Sequence, residues 1–162
     1  MTNLPNSSQR DTKRVLVVDD EPRMIGFIRM NLELEGHQVI EAHNGLEALD
    51  AVRTQLPDIV ILDVMMPELD GFETLRMLRE FSDIPVIMLT AKGDENDKVY
   101  GLELGADDYV TKPFGPRELS SRIKAVMRRW KNPSTSPADA ILEIDSHLSV
   151  AFNPREVIVD GE

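Results

Sequence analysis

Val15-Leu16-Val17-Val18-Asp19-Asp20-Glu21 is the stretch that decides the fold. Four consecutive apolar residues leave no wet face, so they read as a strand covered on both sides, as in parallel sheets. Three carboxylates follow at once, where such a strand reaches the rim of its sheet. The pattern returns along the chain: Ile59-Val60-Ile61-Leu62 runs into Asp63, Val86-Ile87-Met88-Leu89 into Thr90, and the weaker Asp108-Tyr109-Val110-Thr111 into Lys112. Gln38-Val39-Ile40-Glu41-Ala42 is more polar and reads as an edge strand.

Helical spacing fills the gaps between these runs. Pro22 suits a first turn, followed by Met24, Ile25, Ile28 and Leu32 on one face. Asn44 with Glu47, and Asp70 with Glu73, have the spacing of capping boxes, ahead of Leu46, Leu49 and Val52 and of Phe72, Leu75 and Leu78. Val99 and Leu102 mark a shorter helix between Glu95 and Leu104. The last helix begins near Pro116 and is expected to bury Leu119, Ile123, Val126 and Trp130. Five strands alternating with five helices predict an α/β fold of right-handed βαβ units.

Composition bounds the function. The chain has 162 residues, 41% hydrophobic and 29% charged, as expected of a globular protein. With 18 Lys+Arg against 29 Asp+Glu the net charge is −11, so the body should repel nucleic acid. The absence of cysteine excludes disulfides, thiolate-bound metals and thiol catalysis. No run approaches the ~18 apolar residues of a membrane helix, and the opening residues lack a signal peptide's apolar core. A cytoplasmic setting is expected, with no membrane partner.

The expected organisation is a polar N-terminus over 1–12, a main domain over 13–130, a Pro/Ser-rich linker over 131–139 and a further segment over 140–162. Residues 132–162 carry one Arg and six acids, −5 of the total charge, and leave −6 for the body. Ile141–Asp145, Leu148–Phe152 and Glu156–Val159 read as three short antiparallel strands, marginal without a covering helix.

In an open parallel sheet, ligands bind outside the carboxyl ends of the strands, where the strand order reverses. With the order 2-1-3-4-5, Asp19, Asp20 and Asp63 converge there, with Thr90 and Lys112 opposite. Carboxylates ~4–5 Å apart repel by roughly 3–4 kcal/mol at an effective dielectric near 20. Such a cluster either holds a proton or takes a cation, and an all-oxygen donor set favours a hard ion such as Mg²⁺. A cation, an ammonium and a hydroxyl around one carboxylate form a place to stabilise a phosphoryl group, with the carboxylate itself as nucleophile.

At these residues the chain resembles the receiver domain of two-component response regulators. The resemblance is carried by Val17-Val18-Asp19-Asp20-Glu21, Leu62-Asp63-Val64-Met65-Met66-Pro67 with Asp70-Gly71, Leu89-Thr90-Ala91 and Lys112-Pro113-Phe114. It covers about residues 13–130 and implies a flavodoxin-like (βα)5 fold. It also implies residue roles. Asp63 is the phosphoacceptor, taking its phosphoryl group from a sensor histidine kinase. Mg²⁺, or Mn²⁺, is held by Asp19, Asp20, Asp63 and the carbonyl of Met65. Lys112 and the backbone of Ala91 bind phosphoryl oxygens, Thr90 and Tyr109 form the switch, and the Lys112–Pro113 bond is cis.

Gly101 to Tyr109 and Pro116 to Leu119 resemble the OmpR/PhoB transcription-factor subfamily. That similarity implies a homodimer through the fourth helix, fifth strand and fifth helix. Lys98 would pair with Glu118, Asp108 with Arg122 and Asp107 with Arg129 across the dimer, around Val99 and Leu102. Ser120 and Ser121 stand where a small apolar residue often completes the patch, which implies a weaker dimer. Residues 140–161 resemble the β-platform that opens a winged-helix domain. The helix-turn-helix that should follow is absent, so DNA binding is expected only of an intact protein.

Two other functions compete. A Mg²⁺-dependent phosphohydrolase with an aspartyl nucleophile would place a second acid two residues on, where this chain has Met65. A nucleotide-binding module would carry G-x-x-x-x-G-K-[ST] or G-x-G-x-x-G, and neither occurs. His37, His43 and His147 lack ligand spacing, and the basic end of the last helix is what a helix dipole favours without any nucleic acid.

Overall fold

A computed structural model describes residues 12–91 and 95–131, with the Lys131 side chain left aside. Expectations for residues 1–11 and for 132–162, including the three C-terminal strands, lie outside the described residues. The apolar runs form β1 (Arg14–Val18), β2 (Gln38–Ala42), β3 (Ile59–Asp63), β4 (Val86–Ala91) and β5 (Asp108–Lys112). Between and after them lie α1 (Pro22–Leu34), α2 (Gly45–Gln55), α3 (Gly71–Arg79), α4 (Glu95–Glu103) and α5 (Pro116–Lys131), the last running one residue past the expected boundary.

The strands pair in parallel in the order β2-β1-β3-β4-β5. The pleat sends alternate residues to opposite faces. Leu16, Val18, Val60, Leu62, Val86 and Met88 pack with α2 and α3 on one face. Val15, Val17, Ile59, Ile61, Ile87 and Leu89 meet α1 and α5 on the other. Central β1 and β3 are therefore apolar on both faces over Val15–Val18 and Ile59–Leu62, while edge strand β2 leaves Gln38 and Glu41 exposed.

Asn44 and Asp70 cap α2 and α3, accepting from the backbone N–H of Glu47 and Glu73 at 2.8 and 2.9 Å. The reciprocal half of each expected box differs. Glu47 accepts instead from His43 N–H at 2.8 Å, and Glu73 pairs with Arg76 at 3.0 Å. Two apolar expectations also change. Leu46 is 65% exposed, because the first turn of α2 sends it away from the sheet, and Trp130 is 40% exposed in the last turn of α5.

Candidate functional site

The strand order puts the carboxyl ends of β1 and β3 side by side, with their connections leaving in opposite directions. Asp19 follows β1, Asp20 follows it, and Asp63 ends β3. Carboxylate oxygens of all three lie within 4.8 Å of one another. Asp19 and Asp63 are 1% and 3% exposed, while Asp20 is open to solvent. Lys112, at the end of β5, reaches across with its Nζ 2.8 Å from Asp63 Oδ1 and 3.5 Å from Asp19 Oδ2. The Glu21 backbone N–H donates to Asp19 Oδ1 at 2.9 Å and holds that carboxylate in place.

The backbone beneath Asp63 is equally constrained. Gly71 N–H donates to the Val64 carbonyl at 2.9 Å, bringing the start of α3 under the loop after β3. A Cβ at Gly71 would lie 2.2 Å from the Asp63 carbonyl oxygen and 2.8 Å from Val64 Cα, so only glycine permits this approach. The role of Gly71 was not legible in the sequence beyond its place after Asp70. The Glu21 N–H had no side-chain signal at all.

Charge balance at the site favours holding a cation. Burial pushes the Asp63 carboxyl up to about 6; Lys112 opposes this, and the charges of Asp19 and Asp20 add to it. Burial also raises Asp19, against the Glu21 N–H and Lys112. At Lys112 burial disfavours the ammonium, but Asp63 and Asp19 outweigh it and the pKa lies above the ordinary lysine value. One ammonium thus faces three carboxylates. The donors are all oxygen and one carboxylate is open to solvent, so the residues present fit a hard divalent cation that keeps several waters.

Thr90, near the end of β4, is 1% exposed, and its Oγ1 is buried without a hydrogen-bond partner. A buried hydroxyl left unpaired costs stability unless another state or ligand pairs it. Tyr109 is half-buried on the same face of neighbouring β5, since Met88 pairs with Tyr109 and Thr90 with Thr111. Ala91 is exposed next to Thr90, and the Met65 side chain is 68% exposed after Asp63. The Lys112–Pro113 bond is cis.

The residues expected at a dimer face lie on α4, β5, α5 and the turn before β5, and several have partners within the chain. Lys98 Nζ is 3.5 Å from Glu95, Arg122 is 3.3 Å from Asp108, and Arg79 is 3.4 Å from Asp107. Asp107 also accepts from the Val86 N–H at 2.9 Å. Val99 and Glu118 are exposed, and Leu102 and Arg129 partly so. Ser120 corrects one expectation: it is buried against α1, donating to Glu35 Oε1 at 2.6 Å, and so does not belong to the patch with Val99.

Residues 15–124 match the response regulator receiver domain family. The chain belongs to that family. The alkaline phosphatase synthesis transcriptional regulatory protein PhoP of Bacillus subtilis is 53% identical to this receiver over 118 residues, 72% of the chain and 49% of the relative. The protein named "Probable transcriptional regulator ycf27" of Cyanophora paradoxa is 47% identical over 153 residues, 93% of the chain and 64% of the relative. The chain thus spans between about half and two thirds of the length of these relatives. Among solved structures, the receiver domain of the Francisella response regulator 1452 is 39% identical with a TM-score of 0.69, covering 73% of this chain and 98% of that one. A response regulator receiver domain protein from Clostridium thermocellum is 32% identical at a TM-score of 0.69, with 73% and 96% covered. Among the described residues, no helix of this receiver is long and apolar enough to cross a membrane.

Proposed function

We propose that this receiver is the phosphoryl-accepting switch of a cytoplasmic two-component transcriptional regulator, with Asp63 as acceptor. The reading rests on one observation above the rest: Lys112 Nζ at 2.8 Å from Asp63, with Asp19 and Asp20 gathered within 4.8 Å. In the transfer, an Asp63 carboxylate oxygen attacks phosphorus. A P–O bond forms as the P–N bond of a sensor kinase's phosphohistidine breaks, and the imidazole nitrogen keeps the electron pair. Asp63 must be ionised for this, and Lys112 holds it in that form while neutralising the incoming oxygens. Mg²⁺ or Mn²⁺, held by Asp19, Asp20, Asp63 and the Met65 carbonyl, would supply further positive charge to those oxygens.

The aspartyl phosphate then gives the orphaned Thr90 hydroxyl an acceptor, and the Ala91 backbone another oxygen to bind. Pairing Thr90 there stabilises one of two arrangements of the β4–β5 edge, with Tyr109 following. Dimerisation through α4, β5 and α5, and DNA binding by a winged-helix portion of the intact protein, are the proposed output. The side chain two residues after Asp63 is Met65 rather than an acid, which supports a persisting phosphoryl group over turnover.

Incubation with acetyl phosphate and Mg²⁺, followed by intact-mass measurement, tests the reading. One phosphoryl adduct is expected, absent in Asp63→Asn. No adduct overturns the proposal, and rapid multiple turnover of phosphomonoesters replaces it with a phosphohydrolase.

A further inference from the structure

The Lys98 ammonium lies over the Tyr109 ring, 4.8 Å from its centroid. Its side chain is only 15% exposed, although it comes from the helix that forms the outer wall of this face, and its ion-pair partner is Glu95 one turn earlier at 3.5 Å. An exposed lysine would normally extend into water. Here the stem is folded onto the sheet edge and the charge rests on an aromatic face, a contact that stabilises modestly and grows with desolvation. The ring it covers shares a sheet face with Thr90, whose buried hydroxyl has no partner. Glu118, the partner expected for Lys98 across a dimer, is exposed on α5 and makes no ion pair among the described residues.

We infer that Lys98 is a latch. In the resting chain it holds Tyr109 in its present orientation by covering the ring, and the turning of that ring toward Thr90 releases the ammonium to pair with Glu118 of a second copy. The inference rests on the switch reading above and adds a regulatory link to it: turning the ring withdraws the aromatic face from under the ammonium and frees that charge for the dimer. Ring position and dimer charge are therefore coupled through a single side chain. By the usual strength of such contacts, the latch disfavours the turned ring about two- to fivefold before any phosphoryl group arrives. Lys98 touches no reacting atom, so it acts as a positioning residue.

The chain has two tyrosines, Tyr100 and Tyr109, so 3-fluorotyrosine labelling with ¹⁹F NMR reads the ring directly once Tyr100→Phe assigns the signals. Beryllofluoride with Mg²⁺ defines the signal of the turned ring. Without beryllofluoride, Lys98→Met, which keeps length but loses charge, should raise the turned population about two- to fivefold. Lys98→Arg should stay near the parent. Glu118→Gln should leave the resting ratio unchanged, since it removes only the dimer partner. If Lys98→Met leaves the ratio unchanged, or Glu118→Gln shifts it as much, the latch is overturned while the switch reading stands. A ring that beryllofluoride fails to move in the parent chain refutes the switch reading, and the latch with it.

Discussion

Replacing Asp63 with asparagine should stabilise the fold, and the gain should depend on pH. Asp63 is 3% exposed and its carboxyl is raised from 3.8 to about 6. The native state therefore binds a proton more tightly than the unfolded chain. Stability from this group is fully present below pH ~4 and is lost as pH rises through about 6, because the ionised native carboxylate is desolvated among like charges. A rise from 3.8 to about 6, at ~1.4 kcal/mol per pH unit, corresponds to roughly 3 kcal/mol at neutral pH. Asp19 competes for the cluster's proton, which lowers the observable to about 2–3 kcal/mol. Asparagine keeps an acceptor for Lys112 and omits the charge. Urea unfolding of parent and Asp63→Asn in EDTA, from pH 5 to pH 8, reads the difference through the midpoint at constant slope. The asparagine form should be the more stable throughout, with about half of the full gap present at pH 5 and nearly all of it by about pH 7. A difference that does not change with pH, or an asparagine form less stable at pH 8, would refute the electrostatic account of the site.

The remaining expectations concern the same rim. Mg²⁺ affinity measured by calorimetry should increase with pH through about 6, following ionisation of the metal-free Asp63, and an affinity that stays flat between pH 5 and 7.5 would disconnect cation uptake from that titration. Adding Mg²⁺ should raise the urea midpoint of the parent, approaching about 2.7 kcal/mol at a hundredfold excess over the dissociation constant, and raise Asp20→Asn less. Gly71→Ala forces a Cβ to within 2.2 Å of the Asp63 carbonyl oxygen and should cost about 1–3 kcal/mol in thermal unfolding; a loss of only a few tenths would show that α3 can withdraw freely. Asp70→Ala removes the cap that accepts from the Glu73 N–H and should cost about 1 kcal/mol while leaving Mg²⁺ affinity close to the parent's, measured by calorimetry.

Much of this receiver is legible in one dimension. Uninterrupted apolar runs determine buried strands because a backbone with no polar side chain must satisfy itself in a ladder and cover both faces. The residue ending each run is then delivered to one rim, so Asp19, Asp20, Asp63, Thr90 and Lys112 could be read as one site before any coordinates. What periodicity could not give was direction at element ends and partnership between distant surfaces. Leu46 and Trp130 sit at helical termini, where a residue's face depends on how the neighbouring turn departs. Ser120 is turned toward Glu35, which caps the C-terminus of α1, by the packing of α5 on the sheet. The approach of Gly71 to the Asp63 carbonyl, the Glu21 N–H on Asp19, the orphaned Thr90 hydroxyl and the seating of Lys98 on Tyr109 exist only in the folded chain. Each joins groups that are close in space through the crossing of elements, and a pairwise contact of that kind leaves no periodic trace in the order of residues.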